Sequence, residues 1–238
     1  MQDLDTLAVK IFADGADLAS IGELSRQPFI KGFTTNPTLM HKAGIRDYRG
    51  FAKEVLAVVN DRPISFEVFS DQFDEMERQA VEIASWGPNV YVKIPVTNTR
   101  GTPAYDLIER LSQRVVRLNV TAVMTLDQVS QVVRRLIGGP PSCVSLFAGR
   151  IADTGRDPVP LVKAAVEILR DAPQCELIWA SPRELLNIIH ADQAGCHIIT
   201  VSTDILKKLP LLGRNLAEYS LDTVKMFYDD ARRAGFTL

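Results

Sequence analysis

One lysine stands in the middle of an apolar run, Asn89-Val-Tyr-Val-Lys-Ile-Pro-Val-Thr97. Such a run reads as a parallel strand buried on both faces, in which alternate residues turn to opposite sides. A buried ammonium is costly unless paired, and the neutral amine that burial favours is a nucleophile toward carbonyl carbon. The plainer reading of Lys93 is a lysine at a frayed strand end, reaching out to water. Other apolar runs carry polar groups with the same spacing of two: Phe12 with Asp14, Thr34 with Asn36, Ser65 with Glu67, Asn119 with Thr121, Ser145 with Phe147, and Trp179 with Ser181, as Tyr91 goes with Lys93. The opposite phase is mostly Ile, Leu, Val, Phe or Ala. Each polar residue also has a local explanation. Asp14 could cap the next helix, Thr34 and Asn36 could hold the Thr-Asn-Pro turn, Glu67 could pair with Lys93, and the hydroxyls could bond nearby backbone. A lysine, two carboxylates, two carboxamides and several hydroxyls on one face of seven strands are harder to explain as core filling.

The elements that would position them alternate along the chain. Strands are expected over 7–14, 29–36, 63–70, 89–97, 117–124, 143–150, 175–181 and 196–201. Helices are expected over 17–26, 47–60, 71–86, 102–114, 126–137, 158–171 and 182–194, with further helical stretches over 204–209 and 216–234. Thr125 is the expected cap of its helix, and Gly87-Pro88 and Gly138-Gly-Pro-Pro141 are expected helix stops. Eight strand and helix units in 238 residues predict an α/β fold, one (β/α)8 TIM barrel spanning 1–238 with an additional C-terminal helix over 216–238. The polar groups then gather at the carboxyl ends of the strands, where active sites of this fold are built. A doubly wound open sheet is the alternative. It lacks support because Asp14-Gly-Ala-Asp17 does not have the G-x-G-x-x-G spacing of a dinucleotide-binding turn.

Composition narrows the function. With 46% hydrophobic and 24% charged residues and a formal net charge of -2, the chain has no single-sign excess that would suit nucleic acid or a membrane surface. No apolar run reaches membrane-spanning length, and the N-terminus lacks the layout of a signal peptide, so a cytoplasmic protein is expected. Cys143, Cys175 and Cys196 read as reduced core thiols. His41, His190 and His197 form no ligand motif, so no metal and no cofactor are expected.

Five segments carry a resemblance: Gly32-Phe-Thr-Thr-Asn-Pro-Thr38, Val90-Tyr-Val-Lys-Ile-Pro-Val-Thr97, Leu118-Asn-Val-Thr121, Ser145-Leu-Phe-Ala-Gly-Arg-Ile151 and Ala180-Ser-Pro-Arg183. In order and over essentially the whole chain they resemble the strand-end motifs of the transaldolase family, in particular its short bacterial transaldolase and fructose-6-phosphate aldolase-like members. Pro182 departs from the aromatic residue expected there in many relatives. The resemblance implies a metal-free Schiff-base enzyme in which Lys93 is the nucleophile, Glu67 with Thr121 handles the catalytic water, and Asp14 is the proton acceptor. It further implies that Thr34, Asn36, Asn119 and Ser145 hold the three-carbon unit. Arg150, Arg183 and the Ser181 hydroxyl would take the phosphate of a sugar substrate. Glu67 and Phe147, where the aldolases carry Gln and Tyr, point to transfer of dihydroxyacetone between sugar phosphates. The alternatives are a lyase that uses free dihydroxyacetone and a barrel that binds without catalysis. The apolar residues of 216–234, from Leu216 and Tyr219 to Phe227 and Tyr228, imply with the resemblance a homo-oligomer, a pentamer or decamer, with that helix on a neighbouring subunit.

Overall fold

The computed structural model of the protein describes residues 4–237. Residues 1–3 and 238, which the expected span of 1–238 also includes, lie outside the described residues. Eight parallel strands close into a barrel in sequence order. They are β1 (Lys10–Asp14), β2 (Ile30–Thr34), β3 (Ile64–Glu67), β4 (Val90–Pro95), β5 (Leu118–Val123), β6 (Ser142–Leu146), β7 (Cys175–Trp179) and β8 (Ile198–Ser202). β1 pairs with both β2 and β8, which closes the ring. This is the (β/α)8 barrel that the alternation of elements predicts, and the open sheet is excluded.

Each strand is shorter than its apolar run, because hydrogen bonding to both neighbours ends before the apolar residues do. The outer layer holds α1 (Leu18–Leu24), α2 (Pro37–Lys42), α3 (Tyr48–Val58), α4 (Phe73–Ala84), α5 (Tyr105–Gln113), α6 (Leu126–Leu136), α7 (Ala148–Ala152), α8 (Val159–Leu169), α9 (Leu186–Gln193), α10 (Thr203–Leu206) and α11 (Leu216–Ala234). Local chemistry sets their starts. Asp17, not Asp14, caps α1 by accepting from Ser20 N at 2.8 Å. Thr125 caps α6 in a full capping box with Gln128. α5 begins three residues later than the apolar spacing suggests. The preceding loop is instead tied by the Asn98 side chain, which accepts from Arg100 N and Thr102 N. α9 likewise starts at Leu186 rather than 182, the loop before it being tied by the Asn187 side chain, whose Oδ1 accepts from Arg183 N at 2.8 Å and Glu184 N at 3.3 Å.

The main core lies between strands and helices, with Phe33, Phe66, Trp179, Ile64 and Leu118 fully buried. A second, smaller cluster of Phe12, Cys143, Ile178 and Ile198, with Tyr91 against it, fills the barrel interior. Cys143, Cys175 and Cys196 are free and buried, as their spacing predicts. β7 departs from the expected phase. Ser145, Ile178 and Ile198 share one level of the sheet, and Leu146, Trp179 and Ile199 the next. Ile178 therefore faces the interior, and Trp179 turns outward toward His190 of α9. α11 buries none of its residues, and Leu216 and Phe227 are 80% and 63% exposed. Among the described residues, no helix is long and apolar enough to cross a membrane.

The interior cluster depends on one glycine. The Phe12 ring occupies the space beside Gly32 so closely that an added Cβ would lie 2.5 Å from the ring. Overpacking of this kind typically costs about 1–3 kcal/mol. Gly32→Ala is expected to lower unfolding stability by about that amount in urea titration, while a far-UV spectrum of the native state stays unchanged.

Candidate active site

Strand parity brings Lys93, Glu67 and Asp14 to the carboxyl ends of β4, β3 and β1. Lys93 pairs in register with Glu67 on one side and Asn119 on the other, so all three side chains stand on the interior face. Its ammonium is buried, with the residue only 7% exposed, and is held from two directions. Glu67 Oε2 lies 3.1 Å from Lys93 Nζ, and Lys93 Nζ donates to the Thr35 carbonyl at 2.9 Å. The Glu67 to Lys93 ion pair anticipated from the sequence is therefore present. A buried ion pair gains little net stability, because two ions must be stripped of water to form it, so its presence calls for another explanation.

Asp14 is placed by β2. Thr34 Oγ1 donates to Asp14 Oδ1 at 2.7 Å, and Asn36 Nδ2 donates to Asp14 Oδ2 at 3.4 Å. Asn36 also caps α2, its Oδ1 accepting from Leu39 N at 2.9 Å, so one carboxamide fixes both the turn and the carboxylate. Behind them stands Thr200 of β8, whose hydroxyl lies 2.5 Å from that of Thr34. As Thr34 gives its proton to Asp14, Thr200 donates to Thr34, which forms a short relay. Burial pushes the Asp14 carboxyl above its ordinary range, against the opposing pull of Lys93 and of the two hydrogen bonds.

A second group lies on β5 and β6. Ser145 Oγ donates to Asn119 Oδ1 at 2.7 Å, and Asn119 Nδ2 donates to Ser65 Oγ at 3.0 Å. The buried carboxamide of Asn119 keeps one N–H and one lone pair for a further partner. Thr121 is buried on the same strand, in register with Pro95. Immediately after it, Ala122 adopts φ 61°, where the pairing of β5 with β6 shifts register. This bulge re-aims the strand end next to Thr121, a common device beside functional sites.

The remaining residues predicted for the site sit at the ends of β6 and β7. Phe147 precedes α7, and the exposed Arg150 guanidinium lies 5.6 Å from its ring centre. Arg183 does not pair with the adjacent Glu184. Its Nε donates to Asp153 Oδ1 at 3.0 Å and its Nη2 to Asp153 Oδ2. Asp153 is thus the shared neighbour of both arginines, and its carboxyl is held below the ordinary range, chiefly by the Arg183 hydrogen bonds. The left-handed Ser181 brings its carbonyl against Gly149, where an added Cβ would stand 1.6 Å from that oxygen. Ser181 therefore reaches this corner through a turn, not through the strand phase expected of it.

Thr200 and Tyr48 were not anticipated from the sequence. Thr200 is a single hydroxyl among β-branched strand residues, and only its register with Phe12 puts it on the interior face. Tyr48 opens a helix, where nothing in the spacing marks its hydroxyl. Among the described residues, no group of three or more His, Cys, Asp and Glu could hold a metal ion.

As a barrel, the chain is similar to dihydrodipicolinate synthase from Rhodopseudomonas palustris, at TM-score 0.56 and 14% identity over 90% of this chain and 79% of that one. It is also similar to a lyase/mutase, described as putative, from Burkholderia cenocepacia, at TM-score 0.57 and 14% identity over 98% and 87%. These two likenesses define a (β/α)8 barrel and nothing finer. Residues 11–238 match the family described as Transaldolase/Fructose-6-phosphate aldolase. A probable transaldolase of Dehalococcoides mccartyi is 34% identical over 218 residues, 90% of this chain and 97% of that protein. Another, of Syntrophomonas wolfei subsp. wolfei, is 32% identical over 223 residues, 92% and 100% respectively. The chain belongs to the transaldolase/fructose-6-phosphate aldolase family.

The raised Asp14 pKa gives a stability prediction with a definite sign. Between the ordinary Asp pKa and the higher folded one, the native state binds more proton than the unfolded chain. Stability from this group is therefore present below the ordinary value and lost as pH rises through the folded one. Asp14→Asn removes that loss. The variant should melt above the parent at neutral pH, and the gap should close below the ordinary Asp range in calorimetric scans.

Proposed function

We propose that this chain is a Schiff-base transaldolase that moves a three-carbon dihydroxyacetone unit from a ketose phosphate such as fructose 6-phosphate to an aldose phosphate. One observation carries the reading: a single amine, Lys93 Nζ, is buried at the carboxyl end of the barrel within reach of a carboxylate, with a second carboxylate, Asp14, close enough to feel its charge. A structural lysine would be satisfied by one carboxylate, whereas carbonyl chemistry uses a second as acid or base.

In this reading Lys93, once deprotonated, adds to the ketone carbon of the donor. Glu67 passes a proton to the departing hydroxyl, which leaves as water and gives an iminium. Asp14, with its proton affinity raised by burial, takes the proton from the hydroxyl on the carbon beyond the bond that breaks. That carbon leaves as an aldehyde, and the bonding electrons flow into the iminium, so the three-carbon enamine remains on Lys93. Addition to an acceptor aldehyde reverses these steps, and water then frees the product. Thr121 would position that water. Its hydroxyl makes no hydrogen bond to protein among the described residues. Thr34 and Asn36 hold Asp14, and Asn119, backed by Ser145, offers its remaining N–H to the hydroxyls of the three-carbon unit. Arg150 and Arg183 would take the phosphate, for which the Asp153 carboxylate on Arg183 must give way.

The family description names two outcomes, transfer and aldol cleavage. Glu67 and Phe147 favour transfer on the resemblance given above. Borohydride added with fructose 6-phosphate should place a three-carbon mass on the Lys93 peptide, and Lys93→Ala should take none. Fructose 6-phosphate alone should release little glyceraldehyde 3-phosphate, and an aldose phosphate should raise turnover at least about tenfold, or roughly 1.4 kcal/mol. Equal rates with and without acceptor would make the protein a lyase. An unmodified Lys93 would leave only a binding barrel.

We also propose that a second copy of this chain covers α11. A helix of 19 residues that buries none of them, with Tyr219, Val224 and Phe227 in the open, exposes more apolar surface than a solvated tail needs. Light scattering at micromolar concentration should give an oligomer, with five or ten subunits expected from the resemblance. Removing 216–238 should disperse it or make it insoluble, and a monomeric parent would overturn the proposal.

A further inference from the structure

The ladder between β2 and β3 stops early. Phe33 pairs with Ile64 and Thr34 with Ser65. Phe33 N donates to the Pro63 carbonyl at 2.8 Å and Thr35 N to that of Ser65 at 3.1 Å. A regular parallel ladder would next join Glu67 N to the Thr35 carbonyl, and the N–H of residue 37 to the Glu67 carbonyl. Neither bond forms. The Thr35 carbonyl accepts from Lys93 Nζ instead, and residue 37 is a proline with no N–H to give. Glu67, the last residue of β3, would be left with an orphaned amide and an orphaned carbonyl, at a cost comparable to a lost hydrogen bond for each.

One hydroxyl satisfies both. Tyr48 Oη accepts from Glu67 N at 2.8 Å and donates to Glu67 O at 2.8 Å, standing where the next residue of β2 would have been. The ring that carries it is wedged edge-on against Phe66, Phe69 and Trp86, with centroids 6.3, 5.7 and 5.6 Å away. Burial, the largest influence, pushes the phenol well above its ordinary pKa, so the hydroxyl keeps the proton it donates.

We infer that Tyr48 is a positioning residue: its hydroxyl replaces the missing rung of the ladder, which anchors Glu67 over the Lys93 amine while leaving the Thr35 carbonyl free to hold that amine. The catalytic half of this inference rests on the function proposed above. Without the hydroxyl, the Glu67 amide and carbonyl have no partner on the β2 side, because the Thr35 carbonyl is held by Lys93, and the last residue of β3 is no longer fixed.

Tyr48→Phe keeps the ring and removes the two hydrogen bonds. Amide exchange should quicken at Glu67 by about tenfold or more and stay unchanged at Val68, whose N donates to the Lys93 carbonyl at 3.1 Å. With fructose 6-phosphate and an acceptor, kcat should fall about tenfold or more at a KM within about twofold of the parent. Val55→Ala, a cavity in the buried face of the same helix, should lower the melting temperature yet keep kcat. An unchanged kcat in Tyr48→Phe, or an equal loss in Val55→Ala, would overturn the inference and leave the transaldolase reading intact. If the parent does not process the sugar phosphates at all, that reading fails. Borohydride capture of glyceraldehyde on Lys93 then decides the matter: slower capture in Tyr48→Phe supports the anchoring of Glu67, and equal rates overturn it.

Discussion

Burial of one ammonium group organises the carboxyl end of this barrel. Lys93 Nζ has lost most of its water and must find acceptors within the protein, and it takes a carboxylate from β3 and a backbone carbonyl from the end of β2. The second acceptor is the more consequential. Here that carbonyl accepts from the side chain and not from the amide of β3, β2 and β3 part after two residue pairs, and the chain turns into α2 through a proline. The Thr-Asn-Pro sequence thus ends a strand, frees a carbonyl and places Asn36 where it caps a helix and holds Asp14. Three separate tasks follow from accommodating one charge.

Much of this was legible in the sequence, for physical reasons that can be followed residue by residue. In β1, β3, β4 and β5 a polar side chain interrupts an apolar run, which fixes the phase of the strand and puts Asp14, Glu67, Lys93, Asn119 and Thr121 on the inner face, in agreement with the register. β7 offered no such marker. The run Cys175-Glu-Leu-Ile-Trp179 is apolar on both faces near its carboxyl end, and the phase taken from Ser181 fails because that residue lies beyond the strand in a left-handed turn. α2 and α7, of six and five residues, are too short to show a helical period. The acceptor of the Arg183 guanidinium is not its neighbour Glu184 but Asp153, 30 residues back, a pairing that only the closed barrel creates. Tyr48 and Thr200 are invisible for the same reason, since what matters is the element each faces.

The site also shows how stability and chemistry oppose each other here. Asp14 is kept by two hydrogen bonds and a nearby lysine, and burial still outweighs them in setting its proton affinity. Glu67 and Lys93 form a buried pair, an arrangement that apolar residues of similar size often match or exceed in stability. The surrounding core of fully buried Ile, Leu, Val and Phe carries that cost.

The contact between Gly149 and Ser181 ties two loops into one piece. The first turn of α7 can lie against the Ser181 carbonyl only because residue 149 has no side chain, and Gly149 N donates to the Ala180 carbonyl at 3.3 Å across the same seam. Asp153 and Arg183 then rivet the outer edge. Arg150, Ser181 and Arg183 are therefore carried on two loops that are joined to each other across the ends of β6 and β7. A ligand reaching this corner meets a backbone of preset shape, on which the Asp153 to Arg183 ion pair is the part that opens. Substitutions at the half-buried Pro182, between Ser181 and Arg183, would alter the contour of this corner while leaving the Gly149 to Ser181 contact beneath unchanged.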